Sequence, residues 1–202
     1  MNSFINALPG ALSQGLIWGI MAIGLYITYK VLELSDLTVD GSFCTGGAVC
    51  VMAMLAGCNV FVAMLLAILA GMLAGAVTGL FHTKCGIPAI LAGILTQLGL
   101  WSVNLAIMDM SATQRLDVSK FNLLVSLRFL KEVTKGKKPF YMHPILVVAV
   151  VTAVLIGILY WFFGTEKGAS IRATGCNEHM ARAQGINTNG NKMLGLMLAN
   201  GM

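Results

Sequence analysis

Apolar residues in this chain fall into long runs separated by short polar interruptions, with no alternation of period two. From Met1 to Tyr29 there is no Asp, Glu, Lys, Arg or His. His82 alone breaks the run from Gly41 to Thr83, nothing breaks Cys85 to Met108, and only His143 lies between Pro139 and Thr165. A helix crosses about 30 Å of hydrocarbon with roughly 20 apolar residues. The runs therefore predict spans over about Leu8–Tyr29, Phe43–Gly57, Val60–Phe81, Pro88–Met108 and His143–Phe163, the second and third forming a hairpin of short spans. Open sheet edges cannot lie in lipid, and barrel strands would alternate, so these elements are helices. The last ten residues, Met193 to Met202, make about 15 Å of helix, which begins a span without completing it. This predicts further residues beyond Met202 rather than a short re-entrant or interfacial end. The expected fold class is all-α: one polytopic transmembrane helix bundle over 1–202, with about five complete spans plus the start of a sixth.

Composition agrees. Hydrophobic residues make up 57% of the 202 and charged residues 10%, where a soluble domain carries about 25% charged. A water-soluble protein of this size could not cover its surface with so few ionised groups. The net charge of +5 sits in the connections between spans, which points to anionic lipid headgroups and not to nucleic acid. Cysteines 44, 50, 58, 85 and 176 form no CxxC pair and read as small core residues. The three histidines lack carboxylates at ligand spacing, and no Walker A pattern is present, so no catalytic or metal site is expected and ATP is not bound here by that route. The N-terminus lacks a basic n-region and its apolar run is too long for a usual leader, so it reads as the first span.

Polar groups at membrane depth are expensive and tend to face a watery path or a neighbouring helix. Asp36, Thr38, Asp40 and Ser42 precede the second span, and Thr96, Gln97 and Asn104 lie along the fourth. Gln97 and Asn104 are seven apart and share one helix face. These seven residues are the candidates for a solute pathway, or for hydrogen bonds between helices. Gly41, Gly46 and Gly47 make a broken helix plausible over Leu37–Gly47, its N-terminus aimed inward. Gly15 and Gly19 form a GxxxG pair suited to close packing within the subunit. The long polar connection 109–142 carries seven Lys/Arg and three Asp/Glu. Phe121, Leu124, Val125, Arg128 and Lys131 have helical spacing within it, as in an amphipathic surface helix.

The connection 164–192 is the most informative stretch. Asn177 can cap a short helix over roughly Glu178–Gln184, and Gly185 suits its left-handed C-cap. Met180, Ala181 and Ala183 give that helix a smooth surface fit for another protein's groove. The run Gly168-Ala169-Ser170-Ile171-Arg172-Ala173, followed by Gly185-Ile186-Asn187, resembles the cytoplasmic coupling loop of permeases in the branched-chain amino acid and ribose class of ABC importers. Gly15–Tyr29 resembles their first helix. Gly86–Thr96 resembles their Pro-x-x-Leu/Ile-x-Thr-Leu helix start, with Gly93 where Thr is more usual. Within that superfamily the chain is most similar to the amino-acid permeases of the tryptophan or tyrosine type.

The resemblance implies a transport subunit and not an enzyme, lying in the plasma (inner) membrane of a prokaryote and carrying a small solute, an amino acid or related compound. It implies that Arg172, Glu178, His179, Met180, Ala181, Arg182, Ala183, Gly185, Ile186 and Asn187 dock on an ABC ATPase subunit that holds the ATP, this chain binding no cofactor. A solute-binding lipoprotein and a second permease copy are the other implied partners. The rival is an ATP-independent secondary transporter or channel, which predicts charges within spans; four of the five have none apart from the terminal His143. A purely structural membrane protein is the third possibility. Orientation is contested. Seven Lys/Arg in 109–142 against four in 164–192 favour the reverse topology by the positive-inside rule, whereas the coupling motif, which is specific in residue and spacing, places 164–192 in the cytoplasm.

Overall fold

The computed structural model describes residues 2–114 and 144–202, and among them every regular element is helical. The amphipathic helix expected around Phe121–Lys131 lies outside the described residues. In chain order the elements are α1 (Asn2–Tyr26), a π-helical turn (Ile27–Val31), α2 (Val39–Leu55), α3 (Val60–Thr83), α4 (Ala89–Ile107), α5 (Pro144–Gly164), α6 (Glu166–Cys176), α7 (Glu178–Ala183) and α8 (Thr188–Asn200). Three described stretches are long and apolar enough to cross a membrane: Val60–Thr83, Ala89–Ile107 and Ile145–Gly164. The 17 residues of α2 reach about 25 Å.

Several boundaries differ from the sequence expectation, each for a local reason. The first helix yields at Tyr26 to a wider turn in which the Leu32 amide bonds back to the Ile27 carbonyl at 3.1 Å and the Leu34 amide to that of Thr28 at 3.0 Å. Helix α2 begins before Phe43 because Ser42 completes its first turn, its amide donating to the Thr38 carbonyl at 2.9 Å and its hydroxyl to that of Val39 at 3.0 Å. The final helix starts at Thr188 and not at Met193, since the Asn187 side chain accepts from the Gly190 amide at 3.0 Å and caps it. The break anticipated at Leu37–Gly47 falls at residues 33–38, which have no regular structure.

The chain divides into two units. One holds the first part of α1 together with α5; the other runs from Met21 to Leu116 and from Thr165 to Met202. Within α5, the Thr152 hydroxyl donates to the Val148 carbonyl at 2.8 Å, so a buried polar group is satisfied inside its own helix.

In the second unit α3 is central, packing on α2, α4 and α8. Its buried positions are Ala63, Gly71, Ala74, Gly75, Thr78 and Gly79, one face of small residues. Its large side chains point away: Phe61 is 79% exposed and Leu73 66%. A core of Ala, Gly and Thr wrapped in exposed Leu and Phe is stable only where the surroundings are themselves apolar.

Small residues matter because backbones touch. A Cβ at Gly71 or Gly75 would collide with the carbonyls of Asn200 and Leu196, and one at Gly79 would lie 3.3 Å from the Cα of Met193. Helix α8 thus runs antiparallel to α3 along a glycine seam. Thr38 meets Thr78, and Gly46 meets Ala67, so α2 is also antiparallel to α3. Gly93 of α4 abuts Leu37 while Gln97 abuts Gly41, so α4 runs parallel to α2. Helices α2, α4 and α8 therefore share one direction. A Cβ at Gly15 or Gly19 would meet nothing within 4 Å among the described residues, while one at Gly24 would lie 2.6 Å from the Ala199 carbonyl oxygen.

A Gly75→Ala substitution tests the seam. Alanine should favour the helix by up to about 1 kcal/mol, yet the fixed carbonyl of Leu196 cannot move aside, and overpacking costs about 1–3 kcal/mol. Thermal unfolding in detergent should show Gly75→Ala destabilised, with Gly15→Ala neutral or slightly stabilised.

Candidate functional site

The unwound stretch 33–38 enters the interior of the second unit, where its polar groups must find protein partners. Asp36 supplies them. Its Oδ1 accepts from the Thr38 amide at 2.8 Å, and its Oδ2 accepts from Asn200 Nδ2 at 2.7 Å. Asn200 Oδ1 in turn accepts from the Ser42 hydroxyl at 2.7 Å. The Thr38 and Thr78 hydroxyls bond to each other at 2.8 Å. Asp36, Thr38, Ser42 and Asn200 are all buried. Gly93 explains its own presence here, since a Cβ would lie 2.9 Å from the Leu37 nitrogen and 3.3 Å from Asp36 Oδ1. Thr96, also buried, spends its hydroxyl on the Ala92 carbonyl at 3.0 Å.

Beyond this network, and on the side away from α7, α2 and α4 part to form a cleft of about 450 Å³. Asp40, Gly41 and Cys44 line one wall; Gln97, Trp101, Asn104, Leu105 and Met108 line the other, with Ser111 and Ala112 at the end. Gln97 and Asn104 do share the face that their spacing implied. Asn104 Oδ1 is buried and accepts no hydrogen bond, an arrangement that costs about 1–3 kcal/mol until a donor arrives. The seven sequence candidates thus separate into two groups: Asp40, Gln97 and Asn104 at the cleft, and Asp36, Thr38, Ser42 and Thr96 in buried hydrogen bonds beneath it.

The stretch 165–187 folds as two helices. Thr165 caps α6, accepting from the Gly168 amide at 3.4 Å, so the run Gly168–Gly175 is helical and not a loop. The tip of α6 lies on the π-helical turn: a Cβ at Gly175 would strike the Val31 carbonyl, and Ile171 is 1% exposed. Asn191 ties α6 to α8, its Nδ2 donating to Ser170 Oγ at 2.7 Å and to Thr174 Oγ1 at 2.9 Å.

Helix α7 closes with the expected caps. Asn177 accepts from the Met180 amide at 3.0 Å, and Gly185 has φ +81°. Glu178 anchors it to α8. One carboxylate oxygen meets Lys192 Nζ at 2.7 Å and the other meets Arg182 Nη2 at 2.9 Å. The Lys192 hydrogen bond, aided by the Lys192 and Arg182 charges and by Thr188, outweighs partial burial and holds the Glu178 carboxyl below its ordinary value of 4.5. Ala181 faces inward, 3% exposed. His179, Met180, Arg182, Ala183, Gly185 and Asn187 are exposed, as is Arg172 on α6, and Ile186 is half-buried. Among the ten candidates here, Glu178 and Ala181 face the protein, Asn187 caps α8, and Met180 leads the outer face.

Sequence reasoning missed Asn200, Thr78, Asn191 and Lys192. Asn200 carried a signal, being an amide inside the apolar run Met193–Met202. Thr78 and Asn191 carried none, because their roles depend on which helix comes to lie beside them.

Two outcomes follow. Asn200→Leu strips Asp36 Oδ2 of its donor, at about 1–3 kcal/mol, while the Ser42 hydroxyl keeps the Val39 carbonyl as acceptor; Asn200→Asp, which sets two carboxylates together, should be worse, and thermal unfolding ranks them. The Glu178 contribution has a lowered folded pKa, so it is fully present above 4.5 and is lost as pH falls through the lower value. Amide exchange over residues 178–184, corrected for intrinsic rate, should rise on acidification, and Glu178→Gln should show the raised level already at neutral pH.

Comparison with known proteins closes the question of family. The profile of the branched-chain amino acid transport system, permease component, matches residues 8–201. A tyrosine transport system permease protein of Clostridioides difficile (strain R20291) is 34% identical over 198 residues, 98% of this chain and 62% of that protein. An uncharacterized protein of Rickettsia prowazekii (strain Madrid E) is 32% identical over 198 residues, 98% of this chain and 65% of that one. The chain therefore spans a little under two thirds of the length of these relatives. No solved structure gives a significant match. Glycine-seamed apolar helices, a capped short helix at 178–183 and a match along nearly the whole chain lead to one assignment: the chain belongs to the permease component family of branched-chain amino acid transport systems.

Proposed function

We propose that this chain is the membrane-spanning permease of an ATP-driven importer, multi-pass in a prokaryotic plasma membrane, carrying a small solute of the amino-acid class. The relative named for tyrosine transport supports the solute class. One observation carries the ATP-driven reading: α7 presents Met180, 61% exposed, with His179 and Ala183 on an outer surface while Glu178 clamps the helix to α8 from within. An exposed methionine beside small residues is an adaptable docking surface. In this reading the face is cytoplasmic and meets the ATPase subunit, which holds the ATP. A second permease copy completes the pathway, and a solute-binding lipoprotein delivers to it. Residues Arg172, Glu178–Ala183 and Gly185–Asn187 act as one unit in which Glu178 and Asn187 hold the shape and Met180, His179 and Arg182 make the contact.

The connection to the pathway is short. Lys192 on α8 is paired to α7, Asn200 on the same helix is bonded to Asp36, and Asp36 lies one turn before the cleft residue Asp40. A push on α7 has a continuous route of polar and backbone contacts to the cleft.

Met180→Asp tests this with little risk to the fold, since the side chain is exposed. In the assembled transporter, uptake should fall at least tenfold while membrane insertion and the ATPase of the motor subunit persist. Unchanged uptake, or uptake that survives removal of the motor subunit, would favour the ATP-independent carrier or channel.

A further inference from the structure

The cleft between α2 and α4 carries more information than its place on a pathway. Its described lining carries one formal charge, the carboxylate of Asp40. Asp40 is exposed to the cleft and forms no ion pair among the described residues. Two turns beyond Gln97 on α4, the buried Asn104 Oδ1 has no hydrogen-bond partner. No Lys, Arg or His is among the described lining residues. Trp101, 68% exposed, offers an indole face, which attracts cations through its quadrupole and also accepts flat apolar groups. Leu105 and Met108 continue the same wall with apolar surface. Gly41 lets α4 come close to α2 at the cleft's edge, since a Cβ there would lie 3.3 Å from the Gln97 Cα.

We infer that this cleft is a station for a protonated amine, with Asp40 as the residue that sets the sign of charge admitted; the inference rests on the permease reading and deepens it. An ammonium brings a positive charge and N–H donors to Asp40. Its apolar remainder lies along Trp101, Leu105 and Met108. An anion lacking an amine meets the Asp40 charge with no cation in the described lining to offset it, and is repelled.

A native reporter makes this testable without knowing the transported solute. Cys44 lines the cleft, is exposed, and sits one helical turn beyond Asp40. In a full-length transporter whose Cys50, Cys58, Cys85 and Cys176 are replaced by alanine, Cys44 is labelled with a cationic and an anionic methanethiosulfonate of similar size. A nearby carboxylate in water should make the cationic reagent faster by about tenfold, and Asp40→Asn should bring the ratio close to one. Tyrosine and tyramine, which share the ammonium, should slow the labelling, whereas 3-(4-hydroxyphenyl)propionate, which lacks it, should not. A ratio near one with Asp40 in place, a ratio indifferent to Asp40→Asn, protection by the deaminated acid, or a Cys44 that neither reagent reaches each overturns the assignment. None of these readings requires ATP, so their failure is separate from failure of the coupling test at Met180.

Discussion

A carboxylate in the interior of an apolar bundle constrains everything around it. Asp36 lies where the chain leaves helical form, and an unwound backbone in a lipid-facing protein must be satisfied by the protein itself. Asp36 does so on one side through the Thr38 amide and on the other through Asn200. The second bond crosses 164 positions of sequence and fixes where Asn200 of α8 lies relative to the start of α2. Given that bond, α8 must lie close against α3, and α3 can accept it only along glycine. The seam of Gly71, Gly75 and Gly79 is the steric counterpart of the Asp36–Asn200 bond.

The same geometry places α7 and the cleft at opposite ends of the second unit. Helix α8 begins beside α7, held by Lys192 and Asn191, and ends on Asp36. From there α2 and α4 continue in the same direction and part around the cleft. The π-helical turn lies against α6 at Gly175 and against α8 through Leu32, whose side chain fills the space over Gly195. A wide turn adjoining an unwound segment has fewer regular backbone bonds than a continuous helix, and such places are where helices bend. The least regular segment therefore sits between α7 and the helices that line the cleft.

The polar residues divide by whether they are answered. Asp36, Thr38, Ser42, Thr96 and Asn191 have every role filled by neighbours, so they specify register. Asp40, exposed to the cleft, and Asn104, whose buried Oδ1 has no partner, are the two left without a protein partner at those oxygens among the described residues. Burial alone would have ranked these residues in the opposite order.

Sequence by itself determined the medium, the element type and the near-register of most helices. Charge-free runs of 20 residues have one stable form in lipid, and Asn177 and Gly185 set the ends of a short helix through contacts within six residues of themselves. It also marked seven polar candidates, because an Asp or Asn beside or inside an apolar run is conspicuous whatever its partner. Tertiary structure decided which of the seven bond to one another and which face open space. That choice depends on Asn200, Thr78 and Gly93 arriving from distant parts of the chain, and hydrogen bonds of long sequence separation leave no local pattern. The glycines illustrate the division most plainly. Gly15 and Gly19 have the recognised spacing and no neighbour within reach among the described residues, while Gly71, Gly75 and Gly79 bear the packing because α8 comes to lie there, a fact of three-dimensional proximity that composition and period cannot encode.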